Sequence, residues 1–177
     1  MKPKIDSLES ERLLLEIRQE SHAAELYPFF CNRDLYHYTK RDIPPSASWL
    51  ATGFKTLETC SSPDGQEQWL GWIGREKSTQ RPVGVFEMSV VGHEAFVAYT
   101  VFKDFWGQGY AVEASKEMIQ FISKNYPVKK FVIEMDTRNR ASAKVAEKLG
   151  FEFVKVINNA CFLKNFVSHE FQFQKKV

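Results

Sequence analysis

A chain of 177 residues with 24 Lys and Arg against 22 Asp and Glu carries a net charge of +2. Its basic residues are scattered, not gathered into the stripe that neutralises a phosphate backbone, which argues against a nucleic-acid partner. The length suits a single domain over residues 1–177 whose core buries roughly 70 per cent of the unfolded surface, and a 44% hydrophobic content with fifteen Phe and four Trp reads as a folded chain.

The N-terminal segment Met1-Lys2-Pro3-Lys4 lacks the apolar core of a secretory signal, and no stretch approaches the ~20 apolar residues of a membrane span. Cys31, Cys60 and Cys161 lie far apart with no CxxC spacing, so they read as reduced thiols and not as a metal site or a disulfide framework. The expectation is a cytoplasmic protein with no metal and no membrane attachment.

In chain order, Leu13, Leu14, Leu15 and Ile17 between Arg12 and Arg18 form a first strand. Ser21 is a plausible N-cap for a helix through Ala24, Leu26, Tyr27 and Phe30, and a second helical patch runs from Ser46 through Leu57. Pro44-Pro45 separates the two. Beyond the loop signature Ser61 to Gly65, three runs over residues 69–73, 83–91 and 95–102 alternate with turn-like segments and predict an antiparallel meander.

The period then changes. Ala111, Ala114, Met118 and Ile122 recur about one helical turn apart, predicting an amphipathic helix over residues 109–125 that Pro127 helps to end. A strand over residues 131–136, a short helix through Ala141, Val145 and Leu149 stopped by Gly150, and two strands over residues 151–157 and 166–173 complete the chain. The order predicts a mixed α/β or α+β domain.

Between the third strand of the meander and the long helix lies Phe105-Trp106-Gly107-Gln108-Gly109-Tyr110-Ala111-Val112-Glu113-Ala114. Gly107 and Gly109 allow unusual torsions and close approach of a ligand. Unpaired amides at a helix start carry the positive end of the dipole and suit a pyrophosphate. A tight strand-to-helix turn with no ligand is the plain alternative. Val112 stands where a dinucleotide fingerprint needs its third Gly, and no GxxxxGK[ST] is present, so nicotinamide-dinucleotide and nucleoside-triphosphate readings are poorer.

This segment resembles motif A of the GNAT acetyltransferases, whose general form is Gln or Arg, two residues, Gly, one residue, then Gly or Ala. Trp106 departs from the usual Gln or Arg, and Ala111 takes the last small position. Both variants occur in the branch that includes the bacterial ribosomal-protein N-terminal acetyltransferases. Asp136-Thr137-Arg138-Asn139-Arg140-Ala141-Ser142 leading to Glu147-Lys148-Leu149-Gly150-Phe151 resembles the second signature of that branch.

The resemblance covers roughly residues 95–155 and implies a bent mixed sheet of six to seven strands with helices on both faces. It further implies acetyl-CoA as acetyl donor, bound by Val101, Phe102, Gly107, Gln108, Gly109, Tyr110, Ala111, Asn139 and Ser142. In this reading Ser142 protonates the departing thiolate, and the amides of Val101 and Phe102 pair with the pantetheine arm like an added strand.

Amine attack needs a proton acceptor, yet Phe96 stands where the branch often has Glu. Glu94 is taken as the base, with His93 and Glu87 as other candidates. Tyr99 is a candidate for the acetyl pocket. The implied acceptor is the N-terminal amine of a protein, ribosomal proteins included. A small amine (amino acid, polyamine or aminoglycoside) and a non-catalytic acyl-CoA-binding module are the alternatives, and the assembly is expected to be a monomer or homodimer. A peptide acceptor predicts an open groove, a small amine a closed pocket.

Overall fold

The structure, a computed structural model, describes residues 5–163 and 166–177. The apolar runs pair as expected and extend further. β1 (Leu8–Glu9), β2 (Leu13–Ile17), β3 (Glu67–Glu76), β4 (Pro82–Val91) and β5 (Glu94–Val101) form consecutive antiparallel neighbours. β6 (Lys130–Asp136) lies parallel to β5, and β8 (Phe166–Lys176) is inserted between β6 and β7 (Glu152–Leu163). The sheet order is β1-β2-β3-β4-β5-β6-β8-β7, so eight strands replace the expected six to seven. The two-residue β1 is one that periodicity has too few residues to signal.

Helices cover both faces. α3 (Tyr110–Asn125) buries Ala114, Met118, Phe121 and Ile122 against the face that carries Trp72 and Phe86, with Trp72 meeting Phe121 edge-to-face at 6.0 Å. α4 (Arg140–Lys148) lies beside α3 and β6. The other face carries α1 (Ala23–Phe30) and α2 (Ala47–Leu57). There Phe30 packs on Phe102 at 5.4 Å and Arg18 lies 5.3 Å over Phe54. Burying one such aromatic contributes about 1.5–3 kcal/mol.

Local chemistry sets the helix starts. Ser46 accepts from the Trp49 N–H at 3.1 Å and caps α2. Ser21, expected to cap α1, instead sits inside a one-turn 3-10 helix over Glu20–His22 that leads into it. α3 ends where Tyr126 turns extended before Pro127. α4 is capped by Asn139 and followed by Gly150 at φ +76°.

One break in the pairing positions the site. β5 and β6 are in register only through Glu94–Lys130, Ala95–Phe131 and Phe96–Val132. Beyond Phe96 the two strands separate, and β6 continues along β8 to Asp136. The two strands therefore splay, opening toward the loop that starts α3.

Candidate active site

The Phe102 N–H donates to the Val83 carbonyl at 2.8 Å. In an antiparallel ladder neighbouring residues alternate in direction, so the amide and carbonyl of Val101 point away from β4 into the splay. The Val101 N–H thus faces the side where an amide donor was expected. The Phe102 N–H does not face it: it is committed to β4, and the Phe102 ring is buried beside Phe29 at 4.8 Å. The Val101 carbonyl accepts from the Trp106 indole N–H at 2.7 Å, a contact the sequence did not signal.

The loop between β5 and α3 has the shape of an anion cradle. Gly107 and Gly109 adopt φ +75° and +86°, left-handed torsions in which a side chain is strained. A Cβ on Gly107 would meet nothing within 4 Å. Gly109 caps α3 without a side-chain bond. The Glu113 N–H to Gly109 carbonyl bond, at 3.1 Å, is the first of the helix, so the amides of Tyr110, Ala111 and Val112 precede the helical ladder. The Gln108 side chain donates back to the Asp104 carbonyl at 2.8 Å, and the Tyr110 ring is buried with its hydroxyl on Glu76. Both residues therefore offer a ligand their backbone, not their side chains.

At the splay, Tyr99 of β5 and Ser142 of α4 meet with 3.0 Å between hydroxyl oxygens. Burial pushes the Tyr99 phenol up to about 12, against a smaller downward pull from Ser142, so the pair stays protonated at neutral pH. Asn139 accepts from the Ser142 N–H at 3.1 Å. Asn139 therefore caps α4 through Oδ1, not through the Nδ2 donors.

The turn into α4 is held by Asp136, which is buried. Its carboxylate accepts from Arg138 Nε at 2.7 Å, Arg138 N at 2.9 Å and Ser168 Oγ at 2.5 Å. Those hydrogen bonds, Arg138's first and against a burial penalty, hold the Asp136 carboxyl well below the usual carboxylate range. Lys144 is exposed.

Glu94 is not in the site. It opens β5, about 16 Å from Tyr99 at roughly 3.3 Å per strand residue, and pairs with Lys130 at 2.6 Å. His93 lies at the same far end, 2.7 Å from the Pro127 carbonyl. Glu87 is better placed. It pairs with Ala98 across β4 and β5, on the face of α1 and α2. Burial raises its pKa, but Arg18 and Arg41 outweigh that and the net shift is downward, so it is ionised. Gly71 leaves the space through which Arg18 reaches it: a Cβ there would lie 2.7 Å from the guanidinium carbon.

Residues 12–152, which include the strand splay, the cradle at the α3 start and the hydroxyl pair between them, fit the family described as acetyltransferase (GNAT) domain. The chain belongs to this family. As a GNAT acetyltransferase it uses acetyl-CoA, and the cradle and splay fit that donor. It is similar to YkkB of Bacillus subtilis strain 168, 28% identical over 157 residues, covering 85% of this chain and 87% of that one.

Among solved structures, RimL, a ribosomal L7/L12 alpha-N-protein acetyltransferase in complex with coenzyme A, superposes with TM-score 0.83 at 18% identity, covering 97% of this chain and 98% of that one. MccE, a microcin C7 self-immunity acetyltransferase in complex with acetyl-CoA and AMP, superposes with TM-score 0.76 at 19% identity over 94% and 93%. These likenesses show the shared fold. Among the described residues no three His, Cys, Asp or Glu side chains gather as a metal site, and no helix is long and apolar enough to cross a membrane.

Proposed function

We propose that this acetyltransferase acetylates the N-terminal amine of a protein or peptide, entering over the α1 and α2 face. The observation that carries this is Ala98. It sits mid-strand in β5, yet it is exposed, so the sheet is uncovered beside the splay. A shallow cleft of about 340 Å³ lined by Arg33, Tyr36, Asp42 and Ile43 opens on the α1–α2 connection. An open groove suits an extended chain better than an enclosed amine.

Acetyl-CoA supplies an activated acetyl thioester. The cradle at Gly107 to Ala111 receives its diphosphate, the Val101 amide and the Asn139 Nδ2 donors orient its arm, and Trp106 borders the arm through the Val101 carbonyl. Glu87, ionised and opposite Ala98, draws the cationic amine and takes its proton through water, a role reassigned from Glu94. The protonated Tyr99–Ser142 pair presents an O–H donor to the thiolate side of the splay.

The test is a panel of peptides with free and blocked N-termini, set against polyamines, free amino acids and an aminoglycoside, with thiol release as readout. Turnover confined to peptides with a free amine is the expected result. Preference for a small amine reverses the acceptor assignment, and coenzyme A binding without turnover on any acceptor supports the silent-module reading.

A further inference from the structure

The acidic residue of the loop motif, Glu113, faces away from the cradle and is tied to the N-terminal strands. Its Oε1 accepts from Ser10 Oγ at 2.6 Å and from the Arg12 N–H at 2.7 Å. Its Oε2 accepts from Arg12 Nε at 2.7 Å and lies 2.6 Å from a terminal guanidinium nitrogen. The same nitrogen of Arg12 donates to the Gln108 carbonyl at 3.1 Å. The guanidinium also lies 4.2 Å over the Tyr110 ring, whose hydroxyl donates to Glu76 on β3.

The Gln108 carbonyl matters because of its neighbours. It lies between two glycines with positive φ, where the peptide plane can turn over at little steric cost. In one orientation the oxygen meets Arg12 and the Gly109 N–H is presented to the cradle. In the other, the carbonyl oxygen would face the phosphates and repel them.

We propose that Arg12 and Glu113 are positioning residues that hold the Gln108–Gly109 peptide in its phosphate-accepting orientation, with Glu113 aiming the guanidinium. The inference rests on the acetyl-CoA reading of the cradle. Neither side chain touches the donor; they act through the Gln108 carbonyl. A purely electrostatic role makes the opposite prediction for Glu113, since removing an anion beside a diphosphate site would tighten binding.

The experiment measures coenzyme A affinity by calorimetry for the unaltered chain, Glu113→Gln and Arg12→Lys, and kinetics with acetyl-CoA and with S-acetylpantetheine, which lacks the diphosphate. Both variants should weaken coenzyme A by about tenfold, the scale of one lost charge-assisted hydrogen bond. The loss should fall on the KM for acetyl-CoA more than on kcat, and kcat/KM for S-acetylpantetheine should stay within about twofold, below the cost of one hydrogen bond.

Tighter or unchanged coenzyme A binding in Glu113→Gln overturns the clamp alone. An equal loss with both thioesters also overturns it, because that is the signature of general loosening. No heat from coenzyme A with the unaltered chain overturns the underlying reading of the cradle as well.

Discussion

Gly84→Ala is expected to loosen both the sheet and the cofactor slot. Gly84 is buried in β4 opposite Val101. A Cβ there would lie 2.3 Å from the Thr100 carbonyl oxygen and 2.9 Å from the Val101 Cα. Both atoms are backbone, so no rotamer relieves the overlap. An ordinary C···O approach is about 3.3 Å, so β5 must move by about 1 Å.

Overpacking of this kind costs about 2–3 kcal/mol, offset by about 0.5–1 kcal/mol from the stiffer unfolded chain. The net loss of about 1–2.5 kcal/mol corresponds to a Tm lower by about 2–10 °C for a chain of this size. The same displacement moves the Val101 amide, so coenzyme A affinity should fall too. Gly53→Ala is the matched control: it lies in α2 with nothing within 4 Å of a new Cβ, and should raise stability by about 0.5–1 kcal/mol. Thermal melts by circular dichroism and calorimetric titration read both. An unshifted Tm with undiminished coenzyme A binding in Gly84→Ala would refute the packing argument.

Tyr99→Phe and Ser142→Ala should each lower kcat by about 10²-fold with coenzyme A affinity nearly kept, and the double variant should lose little more, because the hydroxyls act as a unit; additive losses in steady-state assays would separate their roles. Glu94→Gln should leave kcat/KM unaltered and cost only the about 0.2–1 kcal/mol of a half-exposed ion pair; a marked fall in kcat would return the base role to that residue. Asp136 is ionised more readily folded than unfolded, so its contribution is complete above the unfolded value of about 3.9 and is lost as pH falls toward the depressed folded value. Asp136→Asn should therefore flatten the acid limb of a stability-against-pH curve measured by urea unfolding, and an unchanged limb would exclude Asp136 as its source.

The meander, the long helix and the two strand-helix junctions were legible because each is written in local period and turn chemistry. Asn139 and Ser142, three apart at a helix start, meet as a helix cap through the Ser142 N–H and the Asn139 Oδ1. Glu94 is close to the motif along the chain but far from it in space. It opens the strand whose other end meets the cradle. The Phe102 amide fails for a related reason: once Val101 faces the splay, its neighbour must face β4. The insertion of β8 beside β6, and the Arg12–Glu113 bonds between residues 101 positions apart, leave no local trace, since long-range pairing has no period to read.

The three-pair contact of β5 with β6 divides the sheet into two leaves, β1 to β5 and β6 to β8 with β7, sharing a narrow hinge. A ligand lodged between them bridges the leaves where the backbone does not. Amide hydrogen exchange should therefore slow on coenzyme A binding in β6 and β8 as well as at the cradle, and melting should rise with ligand concentration by mass action. The donor would then serve as mortar for the architecture it reacts in.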